Sequence, residues 1–292
     1  MLRKYGLLYL IILMMLSACG QGVPTGDGTE GKLAINVSIL PQAYFVERIA
    51  GDLASVHVMV SPGDDPHLYE PTPNQMRALS EANLYISIGV EFENAWLPRF
   101  KSANPNLTIV DSTIGVDRIP TTISYQGEEA SEPDPHIWLS PVLVKVQAQN
   151  ITQGLIRVDP THADIYQANL TVFLNDIDDL DADIRKRFEG LEGRHFMAFH
   201  PAWGYFADAY GLEMIVIEAG GQEPGAEGLA KTIDLAQQYG IDVIFSQKES
   251  SSKNAEAIAA EIGARVVTLD PLARDWLENM QTMADAFEDA LK

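Results

Sequence analysis

Short runs of β-branched and aliphatic residues alternate along the chain with stretches whose apolar positions recur every three to four residues. "KLAINVSI" (32–39), "SVHVMV" (55–60), "NLYISIG" (83–89) and "LTIVDS" (107–112) carry the first signature and predict strands. Between the first two, "QAYFVERIAG" predicts a helix ending at Gly51. Repeated β–α alternation predicts a parallel sheet with helices on its faces. The middle of the chain differs. "SPVLVKVQAQNITQGLIRVD" (140–159) predicts one helix, stopped by Pro160. Residues 163–188 then run without Pro or Gly. Ile165, Leu170, Phe173, Leu174, Ile177, Leu180, Ile184 and Phe188 recur along them at the spacing of one helical face. Gly190 and Gly193 close this long helix. Alternation then resumes, with strands predicted at 195–199, 213–217, 242–245 and 265–269 and helices closed by Gly240 and Gly263. The pattern predicts an α/β protein of two lobes, each with a mainly parallel sheet flanked by helices, bridged by one long rigid helix. The lobes are expected at 32–159 and 191–292, with the linking helix at 160–190.

The first residues do not fit this alternation. Arg3 and Lys4 precede an apolar run from Tyr5 to Ala18, too short for the ~20 residues of a spanning helix. It reads as a secretory signal over residues 1–18. The chain's only cysteine, Cys19, follows Leu16-Ser17-Ala18, a run that resembles the bacterial lipoprotein box, where the cysteine is lipidated. "GQGVPTGDGTEG" after it is too polar and Gly-rich to bury a thiol, and residues 19–31 read as a flexible tether. The expected location is extracytoplasmic, lipid-anchored to the cell membrane at Cys19, on the periplasmic side or the outer cell surface. With its one cysteine anchored, the mature protein has no disulfide, and its stability rests on core packing. Composition narrows the partners. Of 292 residues, 46% are hydrophobic, enough for a packed core. A net charge of −21 repels phosphate backbones, so nucleic acid is not an expected partner. "GGQEPGAEG" (220–228) is Gly-rich but lacks the Lys-Ser/Thr pair and the strand–loop–helix context of a phosphate loop.

Histidine is scarce, with six in the chain, yet two of them occupy the same tripeptide: Asp-Pro-His in "DPHLYEPTP" (65–73) and again in "DPHIWLSP" (134–141). His67 and His136 each follow a proline, and His200 precedes one in "AFHPAW". Proline stiffens the backbone and lowers the ordering entropy that a metal ligand must otherwise meet. In open α/β sheets, ligands bind beyond the carboxyl ends of strands. His67 lies a few residues past one strand, while His200 and Asp270 directly follow two others. His136 comes from the irregular stretch before helix 140–159. Two candidates on each lobe can therefore face one interdomain cleft, and three imidazoles with one carboxylate complete a tetrahedral shell for Zn²⁺. His57 alternates within a strand and reads as structural. His162 reads as solvated at a helix start.

"HLYEPTP", "DPHIWLSP", "AFHPAWGYFADAYGL" and "TLDPLA" together resemble the solute-binding lipoproteins of zinc and manganese ABC importers, the ZnuA/TroA type, and most closely the zinc subgroup. Order and spacing agree over nearly all of the mature chain, including the long middle helix, which in that family is the rigid connector. The resemblance implies metal ligands His67, His136, His200 and Asp270 and an ABC transporter permease as partner, with the protein acting as a monomer. It departs from the family in two places. The stretch "SYQGEEASEPDPH" keeps Glu128, Glu129 and Glu132 but has no histidine before His136, unlike the His-rich loop of many zinc members. Gln247 stands where many members carry a glutamate, with Glu249 close by as a rival to Asp270 for the fourth position.

Three imidazoles favour Zn²⁺ as the transported ligand over the more carboxylate-seeking Mn²⁺. A zinc-dependent hydrolase is the alternative from another class, with Glu249 or Glu70 as base, although no HExxH motif is present. An adhesin or Mn²⁺-binding member of the same fold is the alternative within it. The expected protein is not an enzyme, and no catalytic residue is assigned.

Overall fold

The computed structural model describes residues 31–120, 133–218, 224–248 and 252–292. The signal, the lipobox cysteine Cys19, the acidic residues Glu128, Glu129 and Glu132, and Glu249 lie outside the described residues.

The first lobe begins with β1 (Leu33–Val37), α1 (Leu40–Ala50) and β2 (Ala54–Val58). Gly51 ends α1 at φ +54°, a backbone region that glycine adopts without a Cβ penalty. Next come α2 (Pro73–Ser80), β3 (Leu84–Ser87), α3 (Glu91–Ala103), β4 (Thr108–Asp111) and α4 (Pro141–Val158). Thr72 opens α2 by accepting a hydrogen bond from the Gln75 amide, while the Gln75 side chain takes the Thr72 amide in return. The long helix α5 (Ala163–Arg187) follows. The second lobe is β5 (His195–Ala198), α6 (Gly204–Tyr210), β6 (Glu213–Val216), α7 (Ala226–Tyr239), β7 (Val243–Gln247), α8 (Ser252–Ile262), β8 (Arg265–Leu269) and α9 (Trp276–Leu291).

Each lobe holds a four-stranded, all-parallel sheet, in the orders β2-β1-β3-β4 and β6-β5-β7-β8. The α/β fold expected from the sequence is therefore observed. In both sheets the chain order reverses beside the first strand, so the strands' carboxyl ends open a crevice at that point. The β3 strand is buried at every position, as a parallel sheet covered on both faces requires.

The long helix differs in one detail from its predicted face. Tyr166, Phe173, Ile177, Leu180 and Ile184 are the buried positions, whereas Ile165 is 46% exposed. Tyr166 takes the first turn of the buried face because its hydroxyl donates to Asp159, 2.6 Å away. α5 packs against α1 and α4 of the first lobe and α9 of the second. Asn169 donates to the Ile49 carbonyl at the end of α1, and Arg187 pairs with Asp285 and Glu288 on α9.

Tryptophans join the lobes directly. The Trp138 indole donates to the Pro271 carbonyl at 2.7 Å, and the Trp276 indole donates to the Trp138 carbonyl at 2.7 Å. Trp276 also packs edge-on against Phe45 of α1. One buried apolar cluster runs from Ile35 in the first sheet through Phe173 to Phe287 in α9, and residues Lys32–Lys292 form a single compact unit. Close-packed protein interiors do not deform smoothly. The radius of gyration should therefore be nearly the same with and without metal, and small-angle scattering of both forms checks it. A large fall on loading would show that the lobes close as hinged bodies.

Candidate metal centre

Three loops at the carboxyl ends of the strands converge between the sheets. The first leaves β2. Met59 and Val60 extend its pairing with the Val37 and Ser38 carbonyls, and the chain then turns through Asp65-Pro66-His67. The second is Asp134-Pro135-His136, entering the short 3₁₀ turn Ile137–Leu139 ahead of α4. The third is the residue pair after β5, His200-Pro201.

The repeated tripeptide has a local reason. In both copies the aspartate Oδ1 accepts the amide of the histidine two residues later, at 2.8 Å for Asp65–His67 and 2.8 Å for Asp134–His136. This is an Asx turn, which fixes where the histidine leaves the backbone. Proline between them removes a competing donor and fixes φ.

The three imidazoles form a near-equilateral group. Ring centroids lie 5.5 Å apart for His67–His136, 5.1 Å for His67–His200 and 5.2 Å for His136–His200. One ligand atom from each lies within 4.8 Å of the other two, and His136 and His200 are buried. A cavity of about 10 Å³, room for one ion or water, is lined here by His67, His136, Trp138, Gln247 and Leu272.

Each ring has a carboxylate on its Nδ1. Glu91 stands 2.6 Å from His67 Nδ1, Asp134 stands 2.7 Å from His136 Nδ1, and Glu218 stands 2.8 Å from His200 Nδ1. A carboxylate accepts, so each Nδ1 carries the proton and each Nε2 is left as the inward-facing atom. The His136 and His200 Nε2 atoms face each other at 3.3 Å, and the buried His67 Nε2 has no hydrogen-bond partner. Burial depresses the His136 pKa, with His200 and His67 adding to the effect, despite Asp134. That ring is therefore neutral at pH 7, and its Nε2 is a bare lone pair. For His67, burial acts in the same direction, but the hydrogen bond and charge of Glu91 outweigh it and the pKa is raised.

These three carboxylates are absent from the sequence-based expectation. Glu218 reaches His200 through strand register: Ala198 pairs with Val216, so the residues two further on are neighbours. Glu91 opens α3, and the turn before it is tightly held. Glu93 accepts the amides of Ile88 at 2.9 Å and Gly89 at 2.7 Å and the Ser38 hydroxyl. Burial still pushes the Glu93 carboxyl up to about 7. Gly89 sits at φ +82° beneath the Arg118 guanidinium, so any side chain would be strained and would strike Arg118. Asp134 had a signal, because it recurs in the repeated tripeptide.

Asp270 is placed outside the imidazole group. Its Oδ2 accepts from Lys248 Nζ at 2.8 Å and its Oδ1 from the Leu272 amide at 2.9 Å. Of the other histidines, His57 is exposed on β2, His162 bonds Asp159 at 2.6 Å, and His195 stacks on Tyr239. Glu70 is exposed.

The zinc-uptake complex component A periplasmic family matches residues 35–290. The chain belongs to that family. The high-affinity zinc uptake system protein ZnuA of Bacillus subtilis (strain 168) is 28% identical over 100% of this chain and 99% of its own length. The manganese-binding lipoprotein MntA of Halalkalibacterium halodurans is 27% identical over 98% of each. A crystal structure of ZnuA is 44% identical and superposes with a TM-score of 0.83, covering 89% of this chain and 100% of that one. Family membership and the two-sheet fold thus agree with the resemblance carried by the two Asp-Pro-His stretches.

Proposed function

We propose that this protein is the extracytoplasmic solute-binding component of an ABC importer, capturing one Zn²⁺ between its lobes and delivering it to the permease. One observation carries the reading. Three imidazoles converge with one ligand atom from each within 4.8 Å of the others; the His136 and His200 Nε2 atoms face each other, and the buried His67 Nε2 has no hydrogen-bond partner among the described residues. Facing lone pairs repel one another, and a cation relieves this. Carboxylates behind the rings fix the tautomer and raise ligand basicity, the arrangement found behind zinc-bound histidines. Three nitrogen donors favour zinc over manganese, and the relatives named for zinc uptake support that choice.

In this reading His67, His136 and His200 hold the metal and the fourth position is left to water. Asp270 reaches it only by giving up Lys248. A general base would have to reach the metal-bound water, and among the described residues the carboxylates nearest the rings do not offer one. Glu91, Asp134 and Glu218 are each engaged on the far side of a ring. In this reading the ion is passed on chemically unchanged. Equilibrium dialysis of the metal-stripped protein against zinc should reach one ion per chain. A stoichiometry of two or more, or none, would refute the single-centre reading.

The anchoring is also part of this proposal. Leu16-Ser17-Ala18-Cys19 supports lipidation at Cys19, and several acyl chains anchor stably where one is marginal. Cys19→Ala should move the protein from the membrane pellet to the soluble fraction. Retention of the variant in the pellet after a salt wash would place the anchor elsewhere. Among the described residues no helix is long and apolar enough to cross a membrane. The core that runs through both lobes supports docking on the permease as one rigid body.

A further inference from the structure

Lys248 and Asp270 end neighbouring strands. Gln247 pairs with Leu269 in the β7–β8 ladder, which sets the next residues side by side beyond the sheet's carboxyl edge. The ion pair this produces borders the metal centre. Gln247, Pro271 and Leu272, the immediate neighbours of the two residues, line the same small cavity as His67 and His136. Lys248 and Asp270 themselves line an adjoining cavity of about 110 Å³, closed on the other side by Ile39, Val60, Ser61 and Gly63 of the first lobe.

The backbone around Asp270 is pinned. Its carbonyl accepts from Asn279 Nδ2 at 2.7 Å, and the next carbonyl, of Pro271, accepts from the Trp138 indole at 2.7 Å. With the backbone held, only rotation of the side chain could bring the carboxylate toward the imidazoles. It is only 23% exposed, and both oxygens are occupied, one by the Lys248 ammonium and one by the Leu272 amide. Lys248, at 63% exposure, has a flexible stem and a roomy cavity beside it. An ammonium is a compact cation that competes with a metal for a carboxylate.

We infer that Lys248 is a specificity-determining residue, holding Asp270 out of the donor set so that the centre presents three nitrogens and rejects oxygen-seeking cations. This inference rests on the proposed three-imidazole zinc site. A carboxylate added to three imidazoles benefits Mn²⁺ more than Zn²⁺, because manganese leans on oxygen donors whereas zinc is already well served by imidazole. Lys248 thereby keeps selectivity high at some expense in total affinity. The pair is exposed enough for its own strength to be small, so the shift it controls is moderate.

The test is competitive binding of Zn²⁺ and Mn²⁺ to the metal-free full chain, each against a chelator of known affinity, in wild type, Lys248→Gln, Lys248→Gln/Asp270→Asn and His200→Ala. Lys248→Gln should raise Mn²⁺ affinity about two- to fivefold, the range that a partly exposed ion pair can offset, with a smaller gain for Zn²⁺. The double variant should return the Zn²⁺-to-Mn²⁺ ratio to the wild-type value, which a merely structural role for Lys248 would not do. An unchanged ratio in Lys248→Gln, or a changed ratio that survives Asp270→Asn, overturns the inference. His200→Ala separates the two layers: if it binds zinc as wild type does, the three-imidazole reading itself has failed.

Discussion

Replacing His200 with alanine should lower zinc affinity by more than ~100-fold, because loss of an outer-shell partner alone costs about 10–100-fold and this removes a ligand. The imidazole is one of three donors whose rings lie 5.1–5.2 Å from each other at this corner. Water can fill the vacated position but brings no fixed geometry. The protein should remain folded. His200 lies two residues beyond β5 and outside the apolar core, and a substitution of this kind falls in the ordinary range of about 0.5–3 kcal/mol. Glu218→Gln should lie between wild type and His200→Ala. The ring then keeps its place but loses the charge that raises its basicity. His57→Ala and His162→Ala serve as controls. His57 is exposed on β2, and His162 pairs with Asp159 and is not part of the imidazole group. Isothermal calorimetry with zinc reads all four variants. Equal losses in His162→Ala and His200→Ala would defeat the assignment.

Why the three histidines were legible and their carboxylates were not follows from the range of the interactions. His67 and His136 advertise themselves through a local device, an Asx turn spanning two residues, which leaves the same tripeptide twice. His200 follows a strand, and strand ends are readable from β-branched runs. The partners of His67 and His200 are set by non-local facts. Glu218 depends on the β5–β6 register, and Glu91 on the turn that Gly89 and Glu93 hold. No periodicity within either segment announces them. The pairing of Lys248 with Asp270 has the same origin. Asp270 stands after a strand, as a ligand would, but the sequence carries no mark that a lysine from the neighbouring strand has reached it first. At the level of the fold, parallel sheets were legible because inner strands such as β3 are buried on both faces and read as apolar runs. Within α5 the periodicity located the helix but put Ile165 on its buried face, where the hydroxyl contact to Asp159 seats Tyr166 instead.

Zinc affinity should fall with increasing steepness as pH drops from about 7 to 5, since free imidazole titrates near ~6.5 and a ligand must be deprotonated. The two resolved histidine shifts predict the shape of the fall. Burial opposes charge on His67, but Glu91 outweighs it and the pKa is raised, so a proton begins to compete at that ring from above ~6.5. Burial depresses His136, which joins the competition only at lower pH. The slope of log affinity against pH should therefore begin near one and grow. Stability of the metal-free chain responds differently. A histidine with a raised pKa contributes stability that is present below ~6.5 and lost as pH rises through its folded value. A histidine with a depressed pKa contributes stability that is present above ~6.5 and lost as pH falls through its folded value. His67 and His136 thus pull the stability of the free protein in opposite directions and partly cancel. In metal release they cannot cancel, because every proton that binds an Nε2 must leave before zinc returns. The centre can empty on acidification while the fold around it holds. Chelator competition at pH 7.5, 6.5, 5.5 and 5, with circular dichroism of the same samples, measures both quantities. Affinity that stays flat from pH 7 to 5 would show that imidazoles do not hold the ion. A loss of affinity that tracks unfolding would show that acid acts on the fold and not on the ligands.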